Sequence, residues 1–123
     1  MKILLSIKPE FIREIIDGSK KFEYRKRIFK ESVDIVVIYS TKPVGKIIGE
    51  FKIKEIIKDK PENIWKNTKE FSGISKKYFD EYFLGRNEAF AIGISDFKKY
   101  DSPIDPYVIY DNFTAPQSYR YWS

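Results

Sequence analysis

The chain has 123 residues, 42% hydrophobic and 17% aromatic, with 23 basic against 18 acidic side chains and a net charge of +5. That size and apolar content predict one domain over residues 1–123, with a packed core and no disorder. Cysteine and histidine are both absent, which excludes disulfides, Cys/His zinc sites, thiol nucleophiles and any mechanism with an imidazole acid or base.

Residues 2–7, Lys-Ile-Leu-Leu-Ser-Ile, predict a short buried strand. Pro9 then opens a helix, where its missing amide costs little. Phe11, Ile12, Ile15 and Ile16 share one helical face, and Gly18 stops the helix. Alternation over residues 20–29 predicts a strand with Phe22 and Tyr24 on one face and Glu23, Arg25 and Arg27 on the other. The unbroken apolar run from Ile35 to Tyr39 predicts a central strand buried on both faces. Thr41–Gly45 is turn chemistry. A long strand follows through Ile57, with Gly49 placed for a bulge or a close backbone approach.

Pro61 restarts helix through Thr68. The spacing of Ile74, Tyr78 and Tyr82, and of Phe79 and Phe83, predicts an amphipathic helix with a core face, ended by Gly85. Phe90, Ile92 and Ile94 alternate with small residues as a further strand. From Tyr100 the composition shifts to Pro, Asp and aromatics, with Tyr107–Tyr110 reading as a last strand and an aromatic tail that packs back on the domain. Few helices in irregular order among strands predict an α+β fold, its mixed or antiparallel sheet curled into a small β-barrel.

One segment concentrates charge. In residues 18–30, six basic side chains (Lys20, Lys21, Arg25, Lys26, Arg27, Lys30) stand against Glu23, interleaved with Phe22 and Tyr24. Such a stripe can neutralise phosphates, and arginine can also fork onto a base edge. A solvated strand face would look the same. Glu23 and Arg25 share a face and can pair across one pleat, either as a fold-stabilising ion pair or as a means of aiming the guanidinium. Lys20 lacks that parity and joins them only if it lies in the turn or if a bulge intervenes.

Gly18-x-Lys20-x-x-Glu23-x-Arg25 resembles the signature of ASCH domains, of the PUA-like superfamily. Ser6-Ile7-Lys8-Pro9 is similar to the family's opening, and Pro116-Gln117-Ser118-Tyr119 resembles a closing segment of some members. The resemblance implies a PUA-like β-barrel with flanking helices, and a cleft that receives nucleic acid, chiefly RNA. Carried over, Lys20, Glu23 and Arg25 line that cleft, with Ser6 and Lys8 at its mouth. Some relatives are enzymes: an amidohydrolase of acetylated cytidine, and a ribonuclease. In the amidohydrolase type a nucleophilic threonine stands where this chain has Glu23, so that chemistry does not transfer.

The expected function is therefore a nucleic-acid-binding module for RNA, or for a modified or flipped base. The binding set is Ser6, Lys8, Lys20, Glu23, Arg25, Lys26, Arg27, Tyr39 and Ser118, with Lys26 and Arg27 as peripheral steering charge. The alternatives are a hydrolase on RNA or a modified nucleoside, or a protein-interaction module in transcription regulation. If the chain is an enzyme, Lys20 is the best catalytic candidate, with Tyr24, Tyr39 and Ser118 also available. DNA or a protein stands as the other partner. No metal or cofactor is expected, since Asp101, Asp105 and Asp111 lack a ligand spacing. With no secretory segment or apolar run of spanning length, the expected location is cytoplasmic, away from membranes.

Overall fold

The structure, a computed structural model, describes residues 1–122. The elements run β1 (Lys2–Ile7), α1 (Pro9–Asp17), β2 (Phe22–Arg25), β3 (Ile35–Ser40), β4 (Lys46–Asp59), α2 (Pro61–Thr68), α3 (Lys76–Tyr82), β5 (Ala89–Ile104), α4 (Pro106–Ile109) and β6 (Tyr119–Trp122). All six strands form one sheet, in the order β2-β5-β4-β3-β1-β6. The β1–β3 pair is parallel and the other four are antiparallel.

This is the predicted α+β class with a mixed sheet, but the sheet does not close into a barrel. Its edge strands, β2 and β6, have four residues each and no pairing joins them. β6 pairs with only Lys2–Leu5 of β1, so the end of β1 at Ser6 and Ile7 runs on uncovered.

Strand alternation divides the core. Ile3, Leu5 and Ile7 of β1 pack with Ile12 and Ile15 of α1, Val36 and Ile38 of β3, and Phe51 of β4. On the opposite face Leu4, Val37, Tyr39 and Ile47 meet Phe113. A third cluster sets Tyr24 of β2 and Ala91 of β5 against Ile64, Phe79 and Phe83 from the α2–α3 region. Burying each large apolar side chain contributes about 1.5–3 kcal/mol, so these faces fix the register.

Several expectations need correction. The strand predicted over residues 20–29 is paired only at Phe22–Arg25, and Arg27 lies beyond it. Phe29 instead enters the main core. Ile16, assigned to the apolar face of α1, is exposed; Ile12 and Ile15 are the residues of α1 buried against the sheet, with Phe11 partly buried beside them. Tyr107–Tyr110 is not a strand: Pro106 starts the short helix α4, with the Asp105 carboxylate accepting from the Tyr107 amide. β5 runs far past Ile94 to Ile104, because backbone pairing with β4 holds its polar far half through successive register shifts. Gly49 sits at one of them, where an added Cβ would lie 2.5 Å from the Lys98 carbonyl oxygen. Among the described residues no helix is long and apolar enough to cross a membrane.

Candidate functional site

The end of β1, the turn after α1, and β2 converge on a cleft of about 470 Å³, closed over by α3 and by the segments at Tyr107 and Ala115–Gln117. Lys8, Lys20, Arg25 and Lys42 line it against a single carboxylate, Glu23. Phe11, Tyr24, Tyr39, Tyr78, Tyr82 and Tyr107 supply aromatic walls. The Lys8 ammonium lies 5.4 Å from the Tyr78 ring centroid at the rim.

Its floor is ionic and nearly dry. Gly18, in the left-handed region at φ 88°, ends α1 and turns the chain back. Lys20 falls in this turn, outside β2, bridged to Ser72. This resolves its parity against Glu23 and Arg25. Its ammonium donates to the Ser72 carbonyl at 2.8 Å and lies 3.9 Å from Glu23 Oε1 and 4.9 Å from the Tyr24 ring centroid. The Lys20 side chain is 1% exposed. Burial, and secondarily Arg25, lower its pKa, while Glu23 opposes that shift.

Gly73 makes room for this lysine. It adopts φ 66°, and an added Cβ would stand 2.4 Å from Lys20 Cβ. Arg25 Nη2 donates both to Glu23 Oε2 at 2.9 Å and to the Ser6 carbonyl at 2.8 Å. The guanidinium thus crosses from β2 to the uncovered end of β1. Its Nε is buried with no hydrogen-bond partner. With Lys20 protonated, two cations and one anion share this floor, leaving one net positive charge, and the Arg25 Nε is a free donor.

The tyrosines are held neutral. Burial pushes Tyr24 up to about 12, and its hydroxyl lies 2.7 Å from Thr68 Oγ1. Tyr39, through burial and its 3.0 Å hydrogen bond with the Tyr107 hydroxyl, is also pushed up to about 12.

A model of the ASCH domain family matches residues 5–100. The chain belongs to the ASCH family. A Zymomonas mobilis protein named ASCH domain-containing ribonuclease is 30% identical over 122 residues, covering 94% of this chain and 80% of that protein. The crystal structure of ASCH from Zymomonas mobilis superposes with a TM-score of 0.90 at 28% identity, covering 99% of this chain and 87% of that one. A Ureaplasma parvum protein named large ribosomal subunit protein uL22 is 28% identical over 97% of this chain, which spans 38% of that protein.

Of the residues singled out from sequence in this ASCH domain, Ser6, Lys8, Lys20, Glu23, Arg25 and Tyr39 line the cleft together. Lys26 and Arg27 do not, although the Lys26 ammonium sits 4.6 Å from the Tyr82 ring centroid at the cleft's edge. Ser118 is half-buried beside the lining residue Gln117 and is not itself part of the wall. The sequence reading missed Lys42, Ser72, Gly73 and Tyr107. It assigned Tyr78 and Tyr82 to a core face, where their hydroxyls, unlike phenylalanine at the same spacing, already signalled a wet edge. Among the described residues no group of three or more acidic side chains gathers as a metal site.

Proposed function

We propose that this cleft binds single-stranded RNA, with a phosphate drawn to the Arg25–Lys20 floor and a base against the tyrosine walls. The observation that carries the reading is the buried floor: a net positive charge and an unpartnered Arg25 Nε call for an anionic acceptor. The aromatic lining suits an unstacked base, which single-stranded RNA offers and a duplex does not. The 30%-identical relative named as a ribonuclease supports RNA over DNA or a protein as the partner.

That relative also favours a second reading, in which the bound strand is cut. The ribose 2′-oxygen would attack phosphorus as its proton passes to a base. The bond to the 5′-oxygen would break as that oxygen takes a proton, leaving a 2′,3′-cyclic phosphate and a 5′-hydroxyl. In its unprotonated form, which burial favours, Lys20 is the candidate base of this second reading, and Tyr39, neutral at physiological pH, the candidate acid. Glu23 is held by two cations and is not free to act as a nucleophile.

The test is fluorescence anisotropy of ten-nucleotide RNA and DNA strands across a salt series. Each phosphate contact contributes a log–log slope of about −0.7 for single strands, so replacing Lys8 and Lys42 by alanine should flatten the slope by about 1.4. No binding, or binding indifferent to salt, defeats the reading. Cleavage is scored by cyclic-phosphate ends, which a 2′-fluoro strand cannot give.

A further inference from the structure

A second recess of about 350 Å³ opens on the far side of α4. Tyr110, Asp111, Asn112, Arg120, Tyr121 and Trp122 form most of its wall. All six lie beyond residues 5–100, the segment the family model matches. Two of its aromatics stand open to solvent: Tyr110 is 44% exposed and Tyr121 40%.

An unbroken run of aromatic contacts joins this recess to the cleft. Tyr39 and Tyr107, both lining the cleft, touch Phe113 with ring centroids 5.8 and 5.1 Å away. Phe113 in turn lies 6.3 Å from Trp122, which lies 5.3 Å from Tyr110. Phe113 is thus a partition, with one recess on each side. Tyr107 faces the first and Tyr110 the second. Ring to ring, the path from Tyr107 over Phe113 to Trp122 takes steps of 5.1 and 6.3 Å. A stacked strand advances about 3.4 Å per nucleotide, so the crossing takes roughly three nucleotides.

We propose that this recess is a second nucleotide subsite, holding a base of the same RNA strand whose other nucleotide occupies the cleft. The inference rests on the RNA-binding reading of the cleft and adds where the strand leads. The recess suits a base more than a phosphate. The Asp111 carboxylate repels an anion, whereas Asp111 and Asn112 present an acceptor and an amide to a base edge. Arg120, its guanidinium 5.6 Å from the Trp122 ring centroid, gives a cationic plane at the rim for stacking or for the linking phosphate.

The experiment uses 2′-fluoro oligoadenylates of one, three and six nucleotides, which cannot be cut through the 2′-position. Binding is measured to the full chain and to the variants Arg120→Ala and Tyr110→Ser, whose exposed side chains can be lost without emptying the core. For the wild type, affinity should rise steeply from one nucleotide to six. Each variant should lose about tenfold for the six-nucleotide strand, the scale of one base stack, and bind the single nucleotide unchanged. Photocrosslinks should appear at Tyr110 or Trp122 only with the longer strands. If both variants bind six nucleotides as well as the wild type does, the second subsite is wrong and the cleft reading stands. If the wild type binds none of the three lengths, the cleft reading fails and the subsite falls with it.

Discussion

Glu23→Gln tests the ionic floor most directly. The carboxylate is 2.9 Å from Arg25 Nη2 and 3.9 Å from Lys20 Nζ, and these side chains are 8%, 12% and 1% exposed respectively. At an effective dielectric of about 20 the two attractions amount to roughly 6 and 4 kcal/mol before solvation is counted. Desolvation of the carboxylate offsets most of this, and removing one partner of a buried pair typically costs about 3–5 kcal/mol. Glutamine keeps an oxygen for Arg25, so the lower end applies, about 3 kcal/mol, or roughly 10–15 °C in Tm for a domain of this size.

The pH dependence carries a signature of its own. Burial lowers the Lys20 pKa and Glu23 is the main influence raising it. With Glu23 neutral, the folded chain sheds the Lys20 proton at lower pH than before. The unfolded chain keeps its proton up to about 10.5. Between the folded value and 10.5 the unfolded state therefore binds more protons, and stability rises with pH. The Tm deficit of Glu23→Gln should shrink as pH rises toward the unfolded value of about 10.5, measured by scanning calorimetry. A deficit below about 1 kcal/mol, or one that does not move with pH, would refute the view that Glu23 compensates two buried cations.

Lys20→Met should behave oppositely. It leaves Glu23 paired with Arg25 and relieves the lysine's desolvation, so stability should stay within about 1–2 kcal/mol while RNA affinity by anisotropy falls at least about tenfold. Gly73→Ala combines a positive φ with a Cβ 2.4 Å from Lys20 Cβ and should cost about 2–3 kcal/mol by urea unfolding. Gly85→Ala, at φ 78° with nothing within 4 Å, should cost only about 1 kcal/mol. Equal losses at the two glycines would remove Gly73 from the site's support. Tyr24 and Tyr39 keep their protons in the folded state up to about 12, whereas the unfolded chain releases them near 10. Stability should thus fall between pH 10 and 12, and the fall should be shallower in Tyr24→Phe; a flat Tm across that window counts against neutral burial.

The first half of the fold was legible because its signals are local. Pro9 and Gly18 bracket α1, and the run from Ile35 to Tyr39 marks a strand flanked on both sides. The signature at Gly18, Lys20, Glu23 and Arg25 located the cleft floor for the same reason: all four residues lie within one turn and one strand. What escaped notice depends on distant partners. The far half of β5 carries Lys98, Lys99 and Asp101, and reads as loop because backbone pairing rather than side-chain burial holds it. α4 reads as strand because Tyr107-Val108-Ile109-Tyr110 is a run of aromatic and β-branched residues, too short at four residues to separate the two periods. Ser72 and Gly73 have no mark in the chain that ties them to Lys20, some fifty residues earlier. Tyr107 reaches the cleft only because α4 turns it toward Tyr39.

The predicted barrel fails where the cleft appears, and the two facts have one cause. Closure would require β2 to find a backbone ladder along the outer strands, removing the sheet's edges. β2 has four residues, and β6 leaves Ser6 and Ile7 without a partner on that side. The carbonyl that a ladder would have satisfied at Ser6 is satisfied by the Arg25 guanidinium instead. A side chain spanning this gap keeps space beside it that a paired strand would fill. It also brings a cation into a place where only neutral peptide groups would otherwise stand. Glu23 then becomes necessary to hold that cation, and Lys20, packed through Gly73, tips the balance back to positive. The recess and its charge follow from the same open seam in the sheet.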